Sequence, residues 1–390
     1  MKKYLTAESV CIGHPDKLCD LIADSILDAC FRKDKASRVA CEVMATKGKI
    51  IVAGEITCSE KINIRYIVKK VLEEAGYNPR KFLIYVFVNS QSDDIKAGVD
   101  KAIEARNGNT DPYGLIGAGD QGTMYGYATN ETKEMLPLPL VLSHRIVKRL
   151  DEARKNKLIK GIFPDGKAQV TVEYDGDKPI RIKTIVVSIQ HHEDKTQEEL
   201  KRDVLNNVLW PSFESFPFDE DTEILINPSG RFVIGGPTAD TGLTGRKIMV
   251  DTYGGLASHG GGALCGKDPT KVDRSGAYMA RYIAKHIVWS DFADKCEVAL
   301  SYAIGKANPL AFSINTFGTG TVPDEVLTLA AEEVFNLKPA AIIEKLRLRN
   351  IHYSDTSTYG HFNSFLFPWE DVDKYRELKK AVEKYADGKN

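Results

Sequence analysis

The residues best suited to chemistry are concentrated between Gly230 and Gly276, where twelve of the chain's 31 glycines lie. The same stretch contains cations and carboxylates, namely Arg231, Arg246, Lys247, Lys267, Lys271, Arg274, Asp240, Asp251, Asp268 and Asp273. Backbone N–H groups and fixed positive charges bind a polyphosphate without bulky side chains in the way. Aspartates in such a site require a divalent cation between them and the phosphates. The stretch therefore predicts a Mg²⁺-polyphosphate site, although glycine turns with solvated charges would have the same composition.

Two short glycine motifs are typical of nucleotide binding, and neither is complete here. Residues 117–122 read GAGDQG, but turn-forming residues precede them where a dinucleotide fold needs a strand, and Asp120 would repel a pyrophosphate. Residues 261–267 read GGALCGK, but Asp268 and Pro269 follow where a P-loop needs the Mg²⁺-binding Ser or Thr. The glycines of 261–267 still allow the backbone to approach a ligand closely, and Lys267 can reach an anion.

Another group of polar residues lies at the start of a predicted helix. Residues 14–17 read HPDK, with Pro15 at the favoured first helical position, and the helix is predicted to run to about residue 30. His14 alone is typical of a cap residue, and Asp16 alone is typical of a carboxylate that interacts with the helix dipole. Further aspartates repeat every four residues, and we expect them on a solvated face: Asp20, Asp24 and Asp28.

Three segments share the order strand, turn, strand, helix, and they supply the elements that must position these groups. The predicted units are strands 39–46 and 50–57 with helix 63–75, strands 168–174 and 180–190 with helix 197–209, and strands 231–234 and 247–252 with helix 272–288. Glu42 and Glu55 lie in the first two strands among apolar neighbours, so each either faces solvent or needs a cation or a donor. The repeat predicts an α+β fold of three related domains, with boundaries 1–103, 104–225 and 226–390.

Composition narrows the class of protein. Lys and Arg number 53 against 54 Asp and Glu in 390 residues, so the formal net charge is −1, whereas nucleic-acid-binding proteins usually have a basic excess. The longest apolar run, residues 82–88, is much shorter than the ~20 residues that span a membrane. Seven cysteines include no CxxC pair, which indicates a reducing compartment. We expect a cytoplasmic protein that binds neither nucleic acid nor membranes.

Several long motifs, in the same order, resemble the S-adenosylmethionine synthetase (methionine adenosyltransferase) family. They are ESVCIGHPDK at 8–17, GAGDQGTMYGYA at 117–128, NPSGRFVIGGP at 227–237, GLTGRK at 242–247 and GGGALCGKDPTKVDRS at 260–275. The resemblance covers essentially the whole chain and ends near residues 361–370.

The resemblance implies that the sulfur of methionine attacks C5′ of ATP and displaces the triphosphate, which is then hydrolysed to pyrophosphate and phosphate. It implies three intertwined α+β domains in a pseudo-threefold arrangement, with two Mg²⁺ ions per active site and K⁺. It also implies a homo-oligomer, a dimer of dimers with active sites at the dimer interface. The chemistry agrees, since a thioether is nucleophilic without losing a proton, and catalysis then rests on positioning and on stabilising the leaving group.

Site residues follow from their positions in these motifs. By resemblance, the catalytic residues are His14, Lys167, Arg246 and Lys267. The ATP-binding residues are these four together with Asp165, Arg231, Phe232, Asp240, Lys247 and Ala263. The methionine-binding residues are Glu55, Gln91, Asp120, Asp240 and Lys271. The metal ligands are Asp16 and Asp273 for Mg²⁺ and Glu42 for K⁺.

The chain departs from the family pattern at a few positions. Ile12 stands where the family usually has Glu, and Leu264 and Cys265 replace Phe and Ser. Asp93 replaces Pro in a segment, residues 91–107, that resembles the mobile gate of the family. None of these changes removes a residue with an assigned role.

Two other functions are compatible with these residues. One is a kinase-like phosphotransferase that uses residues 261–267, against which Asp268 argues. The other is a non-catalytic nucleotide-binding protein, which we would expect to have lost some of His14, Asp16, Lys167 and Lys271.

Overall fold

The computed structural model describes residues 2–91, 101–362 and 364–388, so residues 92–100 of the predicted gate, with Asp93, lie outside the described part. The described helices are α1 (Pro15–Lys33), α2 (Ile64–Ala75), α3 (Ile103–Arg106), α4 (Leu138–Lys155), α5 (Gln197–Val204), α6 (Trp210–Ser212), α7 (Ile248–Asp251), α8 (Val272–Trp289), α9 (Asp324–Val334), α10 (Pro339–Lys345) and α11 (Tyr375–Ala386). The strands are β1 (Lys2–Val10), β2 (Arg38–Thr46), β3 (Lys49–Thr57), β4 (Leu83–Asn89), β5 (Gly122–Thr129), β6 (Ile162–Asp175), β7 (Lys178–His191), β8 (Glu223–Ile226), β9 (Gly242–Leu243), β10 (Lys295–Tyr302) and β11 (Ala311–Asn315). None of the helices within the described residues has the length and apolar character to cross a bilayer.

Three sheets organise the described part of the chain. The first has the strand order β4-β3-β2-β9, the second β1-β6-β7-β8 and the third β11-β10-β5. Alternate residues of β2, such as Val39, Cys41 and Val43, are buried, as the two-residue period of a strand requires. That face of the first sheet packs in one apolar core with helices α1 and α2.

Strands from distant parts of the sequence complete each sheet. Strand β1 pairs antiparallel with β6, from Lys2 opposite Asp175 to Val10 opposite Lys167. Strand β5 pairs with β10, and the two-residue strand β9 pairs with β2. The α+β class and the intertwining of three units are confirmed. Because the sheets exchange strands across any linear division, the boundaries 1–103, 104–225 and 226–390 stay predictions.

The first two predicted strand–helix units are confirmed, whereas both strands of the third unit are wrong. Residues 231–234 form no strand. Their backbone is held instead by the end of β7, where the Phe232 carbonyl accepts a hydrogen bond from the His191 N–H (2.9 Å). Residues 248–251 form the short helix α7 instead, closed by the Asp251 N–H bond to the Lys247 carbonyl (2.9 Å). Only helix α8 of this unit was predicted correctly, and its sheet is built from β5, β10 and β11.

Helix α1 is buried on almost every side, which corrects the expectation of a solvated acidic face. Asp20 and Asp24 are completely buried, and Asp28 is 4% exposed. One side of the helix packs on the first sheet, while loops from the C-terminal half of the chain cover the acidic side and donate their backbone N–H groups to it. A four-residue repeat shows that aspartates share one face of a helix, but it does not show what covers that face.

A buried cation holds the C-terminal segment to the rest of the molecule. Arg281 of α8 is completely buried and donates to both carboxylate oxygens of Glu370 (2.9 Å each). Its remaining N–H groups donate to the carbonyls of Tyr127, Met135 and Glu134 at 2.7–2.8 Å. Helix α8, the end of β5 and the turn at Pro368–Glu370 are thereby joined through one fully paired guanidinium.

Replacing Glu370 by Gln should lower the free energy of unfolding by about 3–5 kcal/mol, because Arg281 and Lys285 would stay buried without a counter-charge. Urea unfolding followed by circular dichroism measures this loss. The matched control is Glu333→Gln, whose ion pair with Lys384 (2.7 Å) lies on the surface and should contribute little. Equal effects of the two substitutions would contradict the structural role of Glu370.

Candidate active site

The start of α1 carries the first set of predicted site residues. His14 caps the helix, and its Nδ1 accepts a hydrogen bond from the backbone N–H of Asp16 (3.2 Å). The Asp16 carboxylate accepts hydrogen bonds from Lys247 Nζ (2.7 Å) and from the backbone N–H of Leu243 (3.0 Å). The guanidinium of Arg246 lies 3.8 Å from the same carboxylate. One acidic side chain therefore gathers two cations beside the imidazole.

His14 is neutral in this environment. Only 2% of its surface is exposed. Burial, together with the positive charges of Lys247 and Lys167, lowers the pKa of His14 to about 3. Because Nδ1 accepts the bond from Asp16, the single proton of the neutral ring is assigned to Nε2. The side chain can therefore donate one hydrogen bond from Nε2 at neutral pH while carrying no charge.

The start of β6 lies against the loop that precedes His14. A Cβ built on Gly13 would lie 2.2 Å from the Pro164 Cβ, so only glycine permits this close approach. Asp165 follows in a buried position, and burial raises its pKa to about 6. Lys167 lies two residues further along the strand, and its positive charge lowers the pKa of both His14 and Asp165.

The loop after Gly235 brings Asp240 to the same place. The N–H of Gly236 donates to the Asp165 carboxylate (2.8 Å), and the Gly236 carbonyl accepts a bond from the Asp240 N–H (3.1 Å). We define the His14 group as the residues gathered by these contacts and charges: His14, Asp16, Asp165, Lys167, Asp240, Arg246 and Lys247.

Phe232 and Arg231 lie on the segment that leads to this loop. The N–H of Phe232 donates to His191 Nε2 (3.2 Å), and its carbonyl accepts from the His191 N–H, so the end of β7 fixes the backbone here. Phe232 is half-buried, and the exposed Arg231 lies 3.6 Å from Glu193. The segment thus presents an aromatic ring and a cation near the surface.

A second set of predicted residues lines a cavity of about 170 Å³. Its lining residues are Arg38, Ala40, Glu55, Gln91, Gly119, Asp120, Lys267, Thr270, Lys271 and Asp273. Lys267 Nζ lies 2.6 Å from the Asp273 carboxylate, and Lys271 Nζ lies 2.6 Å from that of Asp268. We define the Lys267 group as the predicted site residues of this cavity: Glu55, Gln91, Asp120, Lys267, Lys271 and Asp273.

Glu42 and Ala263 lie beside these two groups. On strands β2 and β3, Glu42 is opposite Ala53 and Ala40 is opposite Glu55, so both glutamates point to the same face of the first sheet. Both are exposed in the isolated chain. A Cβ built on Gly245 would lie 2.5 Å from that of Ala263, so the loop of residues 260–267 touches the loop that carries Arg246 and Lys247.

The His14 group and the Lys267 group form separate sets of ion pairs in the described part of the chain. Across residues 2–91, 101–362 and 364–388, the ion pairs of the first group involve Asp16, and those of the second involve Asp268 and Asp273. No hydrogen bond or ion pair in this part of the chain joins the two groups. Each group is therefore half of the predicted constellation.

The structure explains why neither glycine motif has its usual role. Asp268 is completely buried and accepts hydrogen bonds from the N–H groups of Val39 (2.8 Å) and Thr270 (2.9 Å) and from Lys271 Nζ. It therefore fixes the loop to the edge of β2 and does not face a phosphate. Residues 117–122 lead into strand β5, whereas a dinucleotide fingerprint opens a helix.

Sequence reasoning missed a set of buried charged residues behind both loops. Asp20 accepts a bond from the N–H of Gly245 (2.8 Å), and Asp24 accepts one from the N–H of Gly266 (2.8 Å). Arg274 neutralises Asp24 at 2.7 Å, and Lys17 lies 2.9 Å from Asp20, while burial raises the pKa of Asp20 to about 7. The only signal in the sequence was the four-residue spacing of the aspartates directly after the HPDK motif.

The donor sets differ in how well they suit a metal. Asp16 and Asp273 offer carboxylate oxygens, which Mg²⁺ prefers, and each attracts a lysine ammonium to within 2.7 Å. Asp251, Cys265 and His361 also have ligand atoms within 4.8 Å of one another, and all three are buried. Burial raises the pKa of the Cys265 thiol well above its usual range, however, so the thiolate that a metal needs is disfavoured and we assign no metal there.

The raised pKa of Asp165 predicts a pH dependence of stability. A carboxyl whose pKa is about 6 in the folded chain and 3.8 when unfolded contributes its stabilisation fully below pH 4 and loses it as the pH rises through 6. Relative to Asp165→Asn, the unmodified chain should lose about 3 kcal/mol of unfolding free energy between pH 4 and pH 7. Urea unfolding across this range measures the difference, and parallel pH profiles would contradict it.

Comparisons with known proteins show the family of the chain. Three family models match the chain: the N-terminal domain of S-adenosylmethionine synthetase over residues 2–93, its central domain over 115–232 and its C-terminal domain over 234–371. The S-adenosylmethionine synthase of Finegoldia magna is 51% identical over 388 residues, which cover 97% of this chain and 99% of the relative. That of Thermus thermophilus is 51% identical over 389 residues, which cover 97% and 98%. The family implies a metal-dependent enzyme. The chain belongs to the S-adenosylmethionine synthetase family.

Proposed function

We propose that this chain is a methionine adenosyltransferase that makes S-adenosylmethionine from ATP and L-methionine. The observation that carries the proposal is the His14 group, in which a neutral imidazole donor is surrounded by the fixed charges of Lys167, Arg246 and Lys247. Such a site stabilises negative charge that develops on a leaving oxygen, and it offers no activated nucleophile. A transfer in which the substrate itself is the nucleophile needs that combination.

The bond changes are simple in this reaction. A lone pair of the methionine sulfur forms the S–C5′ bond while the bond from C5′ to the triphosphate oxygen breaks, and its electron pair stays on that oxygen. The product is a sulfonium cation and a triphosphate anion, so no proton has to leave the nucleophile. Nε2 of His14 donates its hydrogen bond to the departing oxygen, where the charge grows. The triphosphate is then hydrolysed to pyrophosphate and phosphate before release.

The triphosphate is bound by cations from both groups. Lys167, Arg246 and Lys247 contact it from the His14 group, and Lys267 contacts it from the other, with the backbone at Ala263 close by. Asp16 and Asp273 hold two Mg²⁺ ions per active site, and Glu42 holds K⁺. When bound, Mg²⁺ neutralises charge on the phosphate oxygens.

The two organic parts of the substrates bind on either side of the reacting bond. The ring of Phe232 stacks on adenine, and Arg231 and Asp165 line that side. The 170 Å³ cavity takes methionine. Its polar ends are held by Glu55, Gln91, Asp120 and Lys271, together with Asp240 of the His14 group.

The active site is completed by a second copy of the chain. Strand β4 presents Leu83, Tyr85 and Phe87 on one face, and these side chains are 61%, 40% and 63% exposed. The register places Ala53 beside Phe87 and Glu42 beside Ala53, so this apolar face is continuous with the glutamates of the site. An exposed apolar sheet face of this kind marks a protein interface. We propose a homodimer, paired again as a dimer of dimers, in which the His14 group of one chain faces the Lys267 group of the other.

The alternative, a phosphotransferase that uses residues 261–267, is disfavoured by the buried position of Asp268. A non-catalytic nucleotide-binding protein is disfavoured because the His14 group and the Lys267 group are intact. All seven cysteines are unpaired, which supports a reducing, cytoplasmic location.

Product analysis tests the proposed reaction. Incubation with ATP, L-methionine, Mg²⁺ and K⁺ should yield S-adenosylmethionine, pyrophosphate and phosphate in equal amounts, measured by chromatography and phosphorus NMR. Omission of methionine is the control and should abolish formation of S-adenosylmethionine. ADP as the nucleotide product would establish the phosphotransferase instead, and no methionine-dependent turnover would favour the non-catalytic protein.

Mixed oligomers test whether two chains share a site. Lys247→Ala and Lys267→Ala should each lose about 100-fold or more of the activity, because each removes one charge that stabilises the transition state. If the two lysines come from different chains, unfolding and refolding the variants together should restore about a quarter of the activity, since half of the dimers then contain one intact site out of two. Lysines from one chain would give no recovery on mixing.

A further inference from the structure

Helix α1 carries a carboxylate at every fourth residue, and these carboxylates bind the backbone of three separate segments, at residues 243–245, 266 and 353–354. Asp16 accepts from the N–H of Leu243 and Asp20 from that of Gly245. Further along, the acceptors are Asp24, for Gly266, and Asp28, for Tyr353 (2.6 Å) and Ser354 (3.0 Å). Successive carboxylates lie about one helical turn, or ~6 Å, apart along the axis. The helix therefore holds its loops at a fixed spacing.

The bond from Gly245 to Asp20 lies directly before the cations of the His14 group. Gly245 is followed in sequence by Arg246 and Lys247. Asp20 is completely buried, and its second oxygen lies 2.9 Å from the ammonium of Lys17. A buried cation therefore lies beside the acceptor on the helix side, and the backbone that carries Arg246 and Lys247 is hydrogen-bonded to it.

The bond from Gly266 to Asp24 is equivalent on the second loop. Gly266 directly precedes Lys267, and its carbonyl accepts from the N–H of Cys41 (2.9 Å). The second oxygen of Asp24 accepts from Arg274 (2.7 Å), which also donates to the Lys267 carbonyl (3.0 Å). The backbone of Lys267 is therefore fixed from both sides by one buried ion pair.

We propose that Asp20 and Asp24 are positioning residues that set the placement of the cation-bearing loops on helix α1. Neither carboxylate is placed to touch substrate, since both are completely buried behind the loops. The assignment of the ligand as a triphosphate rests on the proposed function. The positioning role itself rests on the five backbone hydrogen bonds to the carboxylates of the helix and on the buried cations beside Asp20 and Asp24.

Asp28 supplies a matched control within the same helix. It shares the face, the burial and the backbone contacts of Asp20 and Asp24, but its loop at residues 353–354 carries no predicted site residue. The side chain beside Asp28 is the exposed His352 (3.3 Å) and not a buried cation, so Ala is compared with Asn at each position, because both substitutions remove the charge. Substitution of Asp28 should remove backbone contacts without moving a phosphate-binding cation. If the carboxylates of helix α1 had a purely structural role, substitutions at positions 20, 24 and 28 would have equivalent effects on activity.

The experiment compares Ala and Asn at the three positions. Asn keeps an oxygen that can accept the backbone N–H, whereas Ala removes it. At Asp20 and Asp24, kcat of the Ala variant should be about 100-fold lower than that of the Asn variant. This is the effect expected when a cation at a reacting site is displaced by about 1 Å. At Asp28, the Ala and Asn variants should have similar kcat. Thermal unfolding of each variant measures the loss of stability separately.

Binding of Mg²⁺-tripolyphosphate, measured by calorimetry, separates this proposal from the proposed function. Weaker binding by the Asp20→Ala and Asp24→Ala chains, with Asp28→Ala unchanged, would support positioning even if the unmodified chain made no S-adenosylmethionine. Where an Ala variant does not fold, Asp→Glu takes its place, because it keeps the charge and displaces the acceptor by one methylene. Equal losses at all three positions, or unaltered binding and turnover at positions 20 and 24, would overturn the proposal.

Discussion

The ion pair between Asp24 and Arg274 is the contact on which the arrangement of the two loops depends. Both side chains are completely excluded from solvent, and the charged atoms lie 2.7 Å apart. Buried charges of this kind are stable only when they are paired, and further hydrogen bonds stabilise them. Here the other partners of Asp24 are the N–H of Gly266 and the hydroxyl of Ser357. The pair joins helix α1 of the first unit to helix α8 of the third, with a glycine loop between them.

Several of the predicted site residues lie on glycine-rich loops, and buried charged side chains of helix α1 hold the backbone of those loops in place. Glycine loops have little stiffness of their own, since glycine allows many backbone conformations. The carboxylates of α1 supply that stiffness, and their pairing cations allow the carboxylates to be buried. In the proposed dimer, activity would also be conditional on assembly, because neither the His14 group nor the Lys267 group contains both the proposed leaving-group donor and the proposed methionine cavity.

The sequence predicted the fold class, but it failed where tertiary contacts override the local pattern. The alternation of apolar and polar residues and the turns between them predicted strands β2, β3, β6 and β7. The helical spacing of apolar residues predicted helix α8. The strands of the third sheet were misplaced, because residues 231–234 resemble a strand locally but bond to the end of β7 instead. The aspartates of α1 were placed in solvent, since periodicity shows a shared face and says nothing about the loops that cover it. The motif residues were found through resemblance, and their division into two groups was visible only in three dimensions.

The exchange of strands between sheets also fixes an order of events during synthesis. Strand β1 leaves the ribosome first, yet its partner β6 ends at residue 175, so β1 waits roughly 10–30 s at typical elongation rates. The first sheet needs residues 242–243, and the third needs residues up to 315. The central sheet, whose last strand ends at residue 226, is therefore the first that a nascent chain can complete. Strand β1 stays unpaired until β6 has been synthesised, and chains interrupted earlier expose it to aggregation.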